Sequence, residues 1–498
     1  MRITLGDWMP DLASLAIGTK GLLTCQNTRP KAVGYEEHGS LSSMSMGGTT
    51  AYCRGAISGV SSEGVPYTIA GDETKLYVVD PATAAHVDKS KSGGYALNPI
   101  DKWRFAAFDD DIIAVTPNYP IQAFNLTASS VFSDLSSDAP RARCIGVVNL
   151  HIVVGNTIDT TYGRMPTRVW WPANNNPYSW PTPGSDSALA LLSDYRDLKG
   201  EAGEVQNIVG GTEIGAIFQE KAISRMDFVG GQTMYQINTV EPDFGLMIPD
   251  LVVPFGRQIF FLSPSGFRVF NYTGSTDVGD GIINKTFLAD LDMSYPHRVS
   301  AARDPDRPLI YVAYPGSGNS GGTPNKLLIW HTARNNFALC EMDTELIFKA
   351  VSLVNASIDQ ADAETVDAAT GSFDDRLAEY GPHLLGAYST SHVLSQFAGT
   401  PLTAIFEWGD IEFAAGLRSM TGLMRPLVAG AQDVQVQIGG RSTLRKAVTY
   451  KPAQRMSERS GACPSRCDAR YHRIRMTVEG GFDDALGIDA ESRPTGRK

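Results

Sequence analysis

Two segments carry the residue types of nucleophilic catalysis, Thr83-Ala84-Ala85-His86 and Gly318-Asn319-Ser320-Gly321-Gly322, in the order histidine then serine. A working triad needs the hydroxyl and imidazole within hydrogen-bond reach, a buried carboxylate behind the imidazole and backbone amides as an oxyanion hole. The letters supply none of that geometry, and the residue before the serine is Asn319 instead of Asp. The pair is expected to be inert.

Metal chemistry is no better served. Cys463 and Cys467 stand four apart, but no second Cys or His pair lies at zinc-ligand spacing, and His472 is the one nearby addition. Asp109-Asp110-Asp111 precedes an apolar run, where Asp favours a tight turn and accepts backbone N–H bonds, and the spaced ligands of an EF-hand loop are absent from the sequence. Val209-Gly210-Gly211 and Val229-Gly230-Gly231 are turns, since no helix-opening Lys-Ser/Thr follows them. No cofactor, metal or catalytic residue is expected.

Charge points to surfaces rather than to a reaction. The net charge is −11, yet Leu417 to Lys498 hold 15 Lys/Arg against 8 Asp/Glu, leaving 28 against 46 for the rest. An acidic body with a basic end suits docking between unlike surfaces. The basic run Arg441-Ser442-Thr443-Leu444-Arg445-Lys446 is the patch that could neutralise phosphates, with an affinity that would fall steeply with salt. Six scattered cysteines and a Met1 end without a charged-then-apolar leader fit synthesis in a reducing cytoplasm. No run approaches the roughly 18 apolar residues of a membrane span.

The elements that must position these residues are hairpins. Ile112 to Thr116, a Pro117/Asn118 turn and Tyr119 to Asn125 give two apolar runs joined tightly. The pattern recurs at Tyr67–Ala70 with Leu76–Val79, Ile152–Val154 with Arg168–Trp171, and Gly215–Phe218 with Ile223–Met226. It returns at Ile259–Leu262 with Phe267–Phe270, Leu309–Val312 with Lys326–Trp330, and Leu384–Tyr388 with Val393–Phe397. Marker residues Ile69, Ile113, Val153, Ile217, Phe261, Tyr311 and Ala387 are separated by 44, 40, 64, 44, 50 and 76 residues. Apart from the two long steps, this is the period of a four-stranded propeller blade. Such a hairpin buries both faces only if neighbours stack around an axis.

The expected fold is all-β: a propeller-like domain of six or seven blades at 49–400, an N-terminal arm at 1–48 and a C-terminal β-domain at 401–498. The two termini together form the smaller domain. Within the first long step, Trp171, Tyr178 and Trp180 flank an Asn/Pro-rich loop, readable either as a docking site or, with greater weight, as blade packing. The second long step holds an acidic insertion, Ile358 to Glu379, expected to form a loop with a short helix.

Seven residues ahead of the repeat, Trp8, Pro10, Asp11, Asn27, Pro30, Gly34 and Tyr35, together with closing strands from Ala469 through Gly480-Gly481 to Gly496-Arg497, carry a resemblance. The chain resembles, end to end, the tail hub or nozzle proteins of short-tailed bacteriophages, the packaged-DNA stabilisation type. That resemblance implies a non-enzymatic virion tail protein: a homohexameric ring below a portal adaptor, carrying a fibre or spike outside and a needle or plug below. Double-stranded DNA would pass through the ring without sequence-specific contact. Trp8, Asp11, Arg441, Arg445 and Lys446 are the expected subunit or adaptor contacts, and Trp171, Tyr178 and Trp180 the expected fibre-docking loop. The alternative is a propeller hydrolase or glycan-binding module with an axial pocket of acids and aromatics.

Overall fold

The computed structural model describes residues 1–81, 83–231, 234–352, 383–431 and 433–496. The expected loop and helix at Ile358 to Glu379 lie outside them. The chain is all-β and propeller-like; among the described residues there are seven blades of four antiparallel strands, six of them separate sheets and blade 6 part of a larger one. All seven hairpins read from the sequence are the two middle strands of these sheets, for example Asp111–Thr116 with Tyr119–Asn125 in blade 2 and Leu309–Tyr314 with Lys326–His331 in blade 6.

The middle strands are apolar almost throughout because both of their faces are covered by neighbouring blades. Every residue of Leu309–Tyr314 is buried. Separate apolar cores fill the gaps between consecutive blades: Ile69 and Trp103 with Ile112 and Phe124 between blades 1 and 2, and Phe218 with Phe261 and Phe270 between blades 4 and 5. The first strands, Gly55–Val60, Arg104–Phe108, Arg141–Val148, Val205–Val209, Val252–Phe255, Ser300–Arg303 and Leu346–Val351, lie innermost around the axis.

Closure is made by the amino-terminal segment. Blade 7 takes three strands from Leu346–Val351, His383–Tyr388 and Val393–Gln396, and its outer strand from Ser42–Gly48. The division at residue 48 is therefore corrected, since the last part of the arm is a propeller strand. Only glycine fits at its end, where a Cβ on Gly48 would stand 2.0 Å from the His392 carbonyl oxygen.

The two termini build the smaller β-domain, here called the platform. Arg2–Thr4 pairs with Asp484–Gly496, which also pairs with Arg418–Ala429, and Tyr35–Glu37 joins the same sheet. A second run of strands, Gly21–Gln26, Ala404–Trp408, Tyr471–Glu479 and Asp433–Arg441, continues directly from Asn336–Glu341, the outer strand of blade 6. One apolar core, including Leu22, Trp408, Met476, Phe260, Phe337 and Ile347, spans the platform and blades 5 to 7.

The seam between platform and propeller is where the amino-terminal motif residues sit. Trp8 is 5% exposed; its indole donates to Leu23 O at 3.0 Å and its backbone N–H to Asn336 Oδ1 at 3.4 Å. Asp11 accepts from the backbone of Lys285 and Thr286, both at 2.8 Å, capping the short helix Asn284–Asp290. Asn27 bonds Glu341 N at 2.9 Å and Thr403 O at 3.0 Å, and Tyr35 donates to Gly6 O at 2.8 Å. Gly34 has φ +72°, and a Cβ there would stand 2.2 Å from Ala485 O.

Candidate interface and axial site

The basic stretch of the platform divides into buried and free cations. Arg441 ends Asp433–Arg441 and, with Arg473 at 3.1 Å, pairs with Asp410, whose side chain is fully buried; Ser14 donates to the same carboxylate. Beside it Glu407 holds Arg475 at 2.6 Å and accepts from the Tyr450 hydroxyl at 2.8 Å. Arg441 is therefore occupied inside the subunit. Arg445 and Lys446 follow in an exposed turn and have no ion-pair partner among the described residues.

Three of the five expected contact residues are thus corrected. Trp8 is buried in the seam, Asp11 is committed to a helix cap and Arg441 to Asp410; Arg445 and Lys446 remain available to another surface. The expected docking loop is corrected in the same way. Trp171 is 1% exposed, with its indole donating to Leu192 O at 3.1 Å, and Trp180 is 4% exposed, donating to Pro177 O at 2.8 Å. Both indoles pack inside the subunit. Tyr178 is exposed, and partial burial, then the Asp111 carboxylate, push its hydroxyl up to about 12.

The axis carries a charged cluster that no local pattern announced. Lys102 and Arg104, at the start of the innermost strand of blade 2, both pair with Asp250, which precedes that of blade 5, at 3.2 and 2.9 Å. Lys102 also donates to Val299 O ahead of blade 6 at 2.8 Å, and Arg104 to Arg143 O of blade 3 at 2.7 Å. These residues, with Ile100, Arg143 and His297, line a cavity of about 330 Å³. Burial would raise the Asp250 carboxyl, but Arg104 and Lys102 outweigh it and hold it below the usual range. Burial, then Arg298 and Lys102, lower His297. A carboxylate kept ionised and already bonded to two cations is poorly suited to proton transfer, so the cluster ties blades together.

The other chemical candidates are separated in space. His86 Nε2 meets the Tyr388 hydroxyl at 3.0 Å where blades 1 and 7 face each other, whereas Ser320 is exposed in the loop between two strands of blade 6. All six cysteines are buried free thiols. Among the described residues no group of three His, Cys, Asp or Glu could hold a metal ion, and no helix is long and apolar enough to cross a membrane. Asp109-Asp110-Asp111 forms the expected turn, with Asp109 at φ +50° and Asp110 accepting from Ser62 N at 2.7 Å.

No family model matches the chain, and no curated protein matches it. Among solved structures, the computationally designed protein Ika8 is 8% identical with a TM-score of 0.37, over 72% of this chain and 98% of that one. A chain of the mitotic checkpoint complex is 10% identical with a TM-score of 0.37, over 69% and 92% of the two chains. Both likenesses are distant, and the propeller assignment rests on the strand pairing itself.

Proposed function

We propose that this chain is a structural subunit of a phage tail hub or nozzle, a ring that holds packaged double-stranded DNA and lets it pass on ejection. The observation that carries the reading is the joining of both chain ends into one platform, fused to blade 6 by a continuous sheet and a shared core. A propeller that only bound a small ligand would need no such rigid second body. The platform also presents free cations at Arg445 and Lys446 on a chain whose remainder is acidic, which suits contact with an unlike surface of a neighbouring subunit or adaptor. The motif residues of the amino-terminal region serve this reading by welding platform to propeller.

The alternative of a propeller hydrolase working at the axis has less support, because Asp250 is held ionised by two cations and the other carboxylate lining that cavity, Asp101, is engaged by the Asn98 and Asn118 amides. The test is the mass of the purified chain in solution, by light scattering and negative-stain imaging, at low and high salt. The reading expects a ring of six copies, loosened by salt as exposed charge pairs are screened. A particle that stays monomeric at every concentration, alone and with a portal adaptor, overturns it.

A further inference from the structure

We propose that the cleft between blades 2 and 3 is a binding site for a neutral saccharide. It is a cavity of about 490 Å³ lying between Asp134 to Arg141, which lead from blade 2 into blade 3, and the hairpin turn at Asp159 to Tyr162. Trp170, Trp180 and Pro183 complete its wall. The volume falls in the ~300–1,000 Å³ range of small-ligand sites.

Two lining residues are incompletely satisfied. Trp170 is 5% exposed, and its indole N–H is buried without an acceptor. Asp159 uses Oδ1 to accept from Thr161 N and Tyr162 N, both at 2.7 Å, which fixes its carboxylate near the Arg168 charge, while Oδ2 is buried without a hydrogen-bond donor. Buried polar groups normally find partners, so an orphaned donor and an orphaned acceptor in the wall of one cavity call for a ligand bearing both functions. Hydroxyl groups are both donor and acceptor.

The aromatic groups supply the other half of sugar recognition. Tyr162 is 40% exposed, and its ring is steadied from behind by the Arg168 guanidinium, 4.4 Å from its centroid. Arg168 is itself fixed, 3.7 Å from the Tyr195 ring and bonded to Asp197 at 2.6 and 2.8 Å. The Tyr162 ring is thereby pre-set to take the C–H face of a pyranose, while the indole and carboxylate address its rim. Asp134, exposed Asp138 and Asp159 disfavour an acidic sugar, while the pairing of Asp134 with Lys91 at 2.7 Å and the presence of Arg141 in the wall reduce the pull on an organic cation.

The experiment uses the full chain with glucose, galactose, mannose, N-acetylglucosamine and their di- and trisaccharides, read by saturation-transfer NMR and calorimetry. Glucuronate and tetramethylammonium serve as charged counter-probes. At least one neutral sugar is expected to bind. Tyr162→Ala should weaken it about tenfold or more. Asp159→Asn should do the same while keeping the turn, because the remaining oxygen can still accept both N–H groups. Met46→Ala, on the outer strand of blade 7, should leave binding unchanged. The proposal is overturned if no sugar binds up to ~50 mM, weaker than any specific site, if both cavity variants bind as wild type does, or if tetramethylammonium or glucuronate is preferred. Each result concerns single subunits, so it stands apart from the assembly measurement.

Discussion

Arg104 and Asp250 form a 2.9 Å ion pair between blades 2 and 5, which are not neighbours in the ring, so the contact crosses the axis. Lys102 closes on the same carboxylate at 3.2 Å. Asp250→Asn leaves two largely buried cations without their counter-charge, a change expected to cost about 3 kcal/mol. Urea unfolding checks this. The folded carboxyl is held below its ordinary 3.8, so the stabilisation is complete above that value and is lost as pH falls beneath it. The gap between wild type and variant should therefore close in acid.

A second acid response lies at higher pH. Burial, then Arg29, lower His38 to about 3, and burial lowers His151 to about 4. Both stay neutral in the fold and take up protons more readily once unfolded, so stability is full above about pH 6.5 and declines as pH falls toward the folded values. The slope is about 1.4 kcal/mol per pH unit per histidine at most. His38→Phe, set among Tyr311 and Phe397, should remove one histidine's share of the fall in urea midpoint between pH 6.5 and 4.

Ring closure has its own test. Gly48→Ala places a methyl against the His392 carbonyl and should push Ser42–Gly48 off Val393–Gln396, at a cost of about 1–3 kcal/mol. Hydrogen exchange should rise first in blade 7.

On the platform, Arg441→Ala and Arg445→Glu should behave oppositely. The first leaves fully buried Asp410 with Arg473 as its one remaining cation and should destabilise the fold by about 3 kcal/mol. The second touches an exposed, unpaired side chain and should leave the melting temperature unchanged while weakening assembly, seen as a smaller mass by light scattering.

The thiols should be silent in the native state. Burial pushes Cys25 and Cys144 up to about 12 and Cys463 up to about 11. Thiol titration at pH 8 should give almost no reaction before denaturation and all six groups after it.

The blades were legible because a strand covered on both faces must be apolar at nearly every position, and seven such pairs stand in the chain. The outer strand of blade 7 was not, since Ser42-Ser43-Met44-Ser45-Met46-Gly47-Gly48 has no β-branched residue and its partner lies some 350 positions away. Trp171 and Trp180 illustrate another limit. An aromatic beside an Asn/Pro loop has the same letters whether it plugs a blade contact or faces solvent. The cross-axis pairing of Lys102 and Arg104 with Asp250 and the commitment of Arg441 to Asp410 are products of closure, and charge counted along the sequence says nothing of which cations are already taken.

Because Asn336–Glu341 of blade 6 bonds onward into Gly21–Gln26, with Asn27 N donating to Leu339 O at 2.7 Å, no flexible joint separates platform from disc along that path. Torque applied at one would reach the other with little slack. A body seated on the platform would swing the whole wheel as a lever swings its load, through the bonds that Trp8, Asn27 and Tyr35 make across the seam.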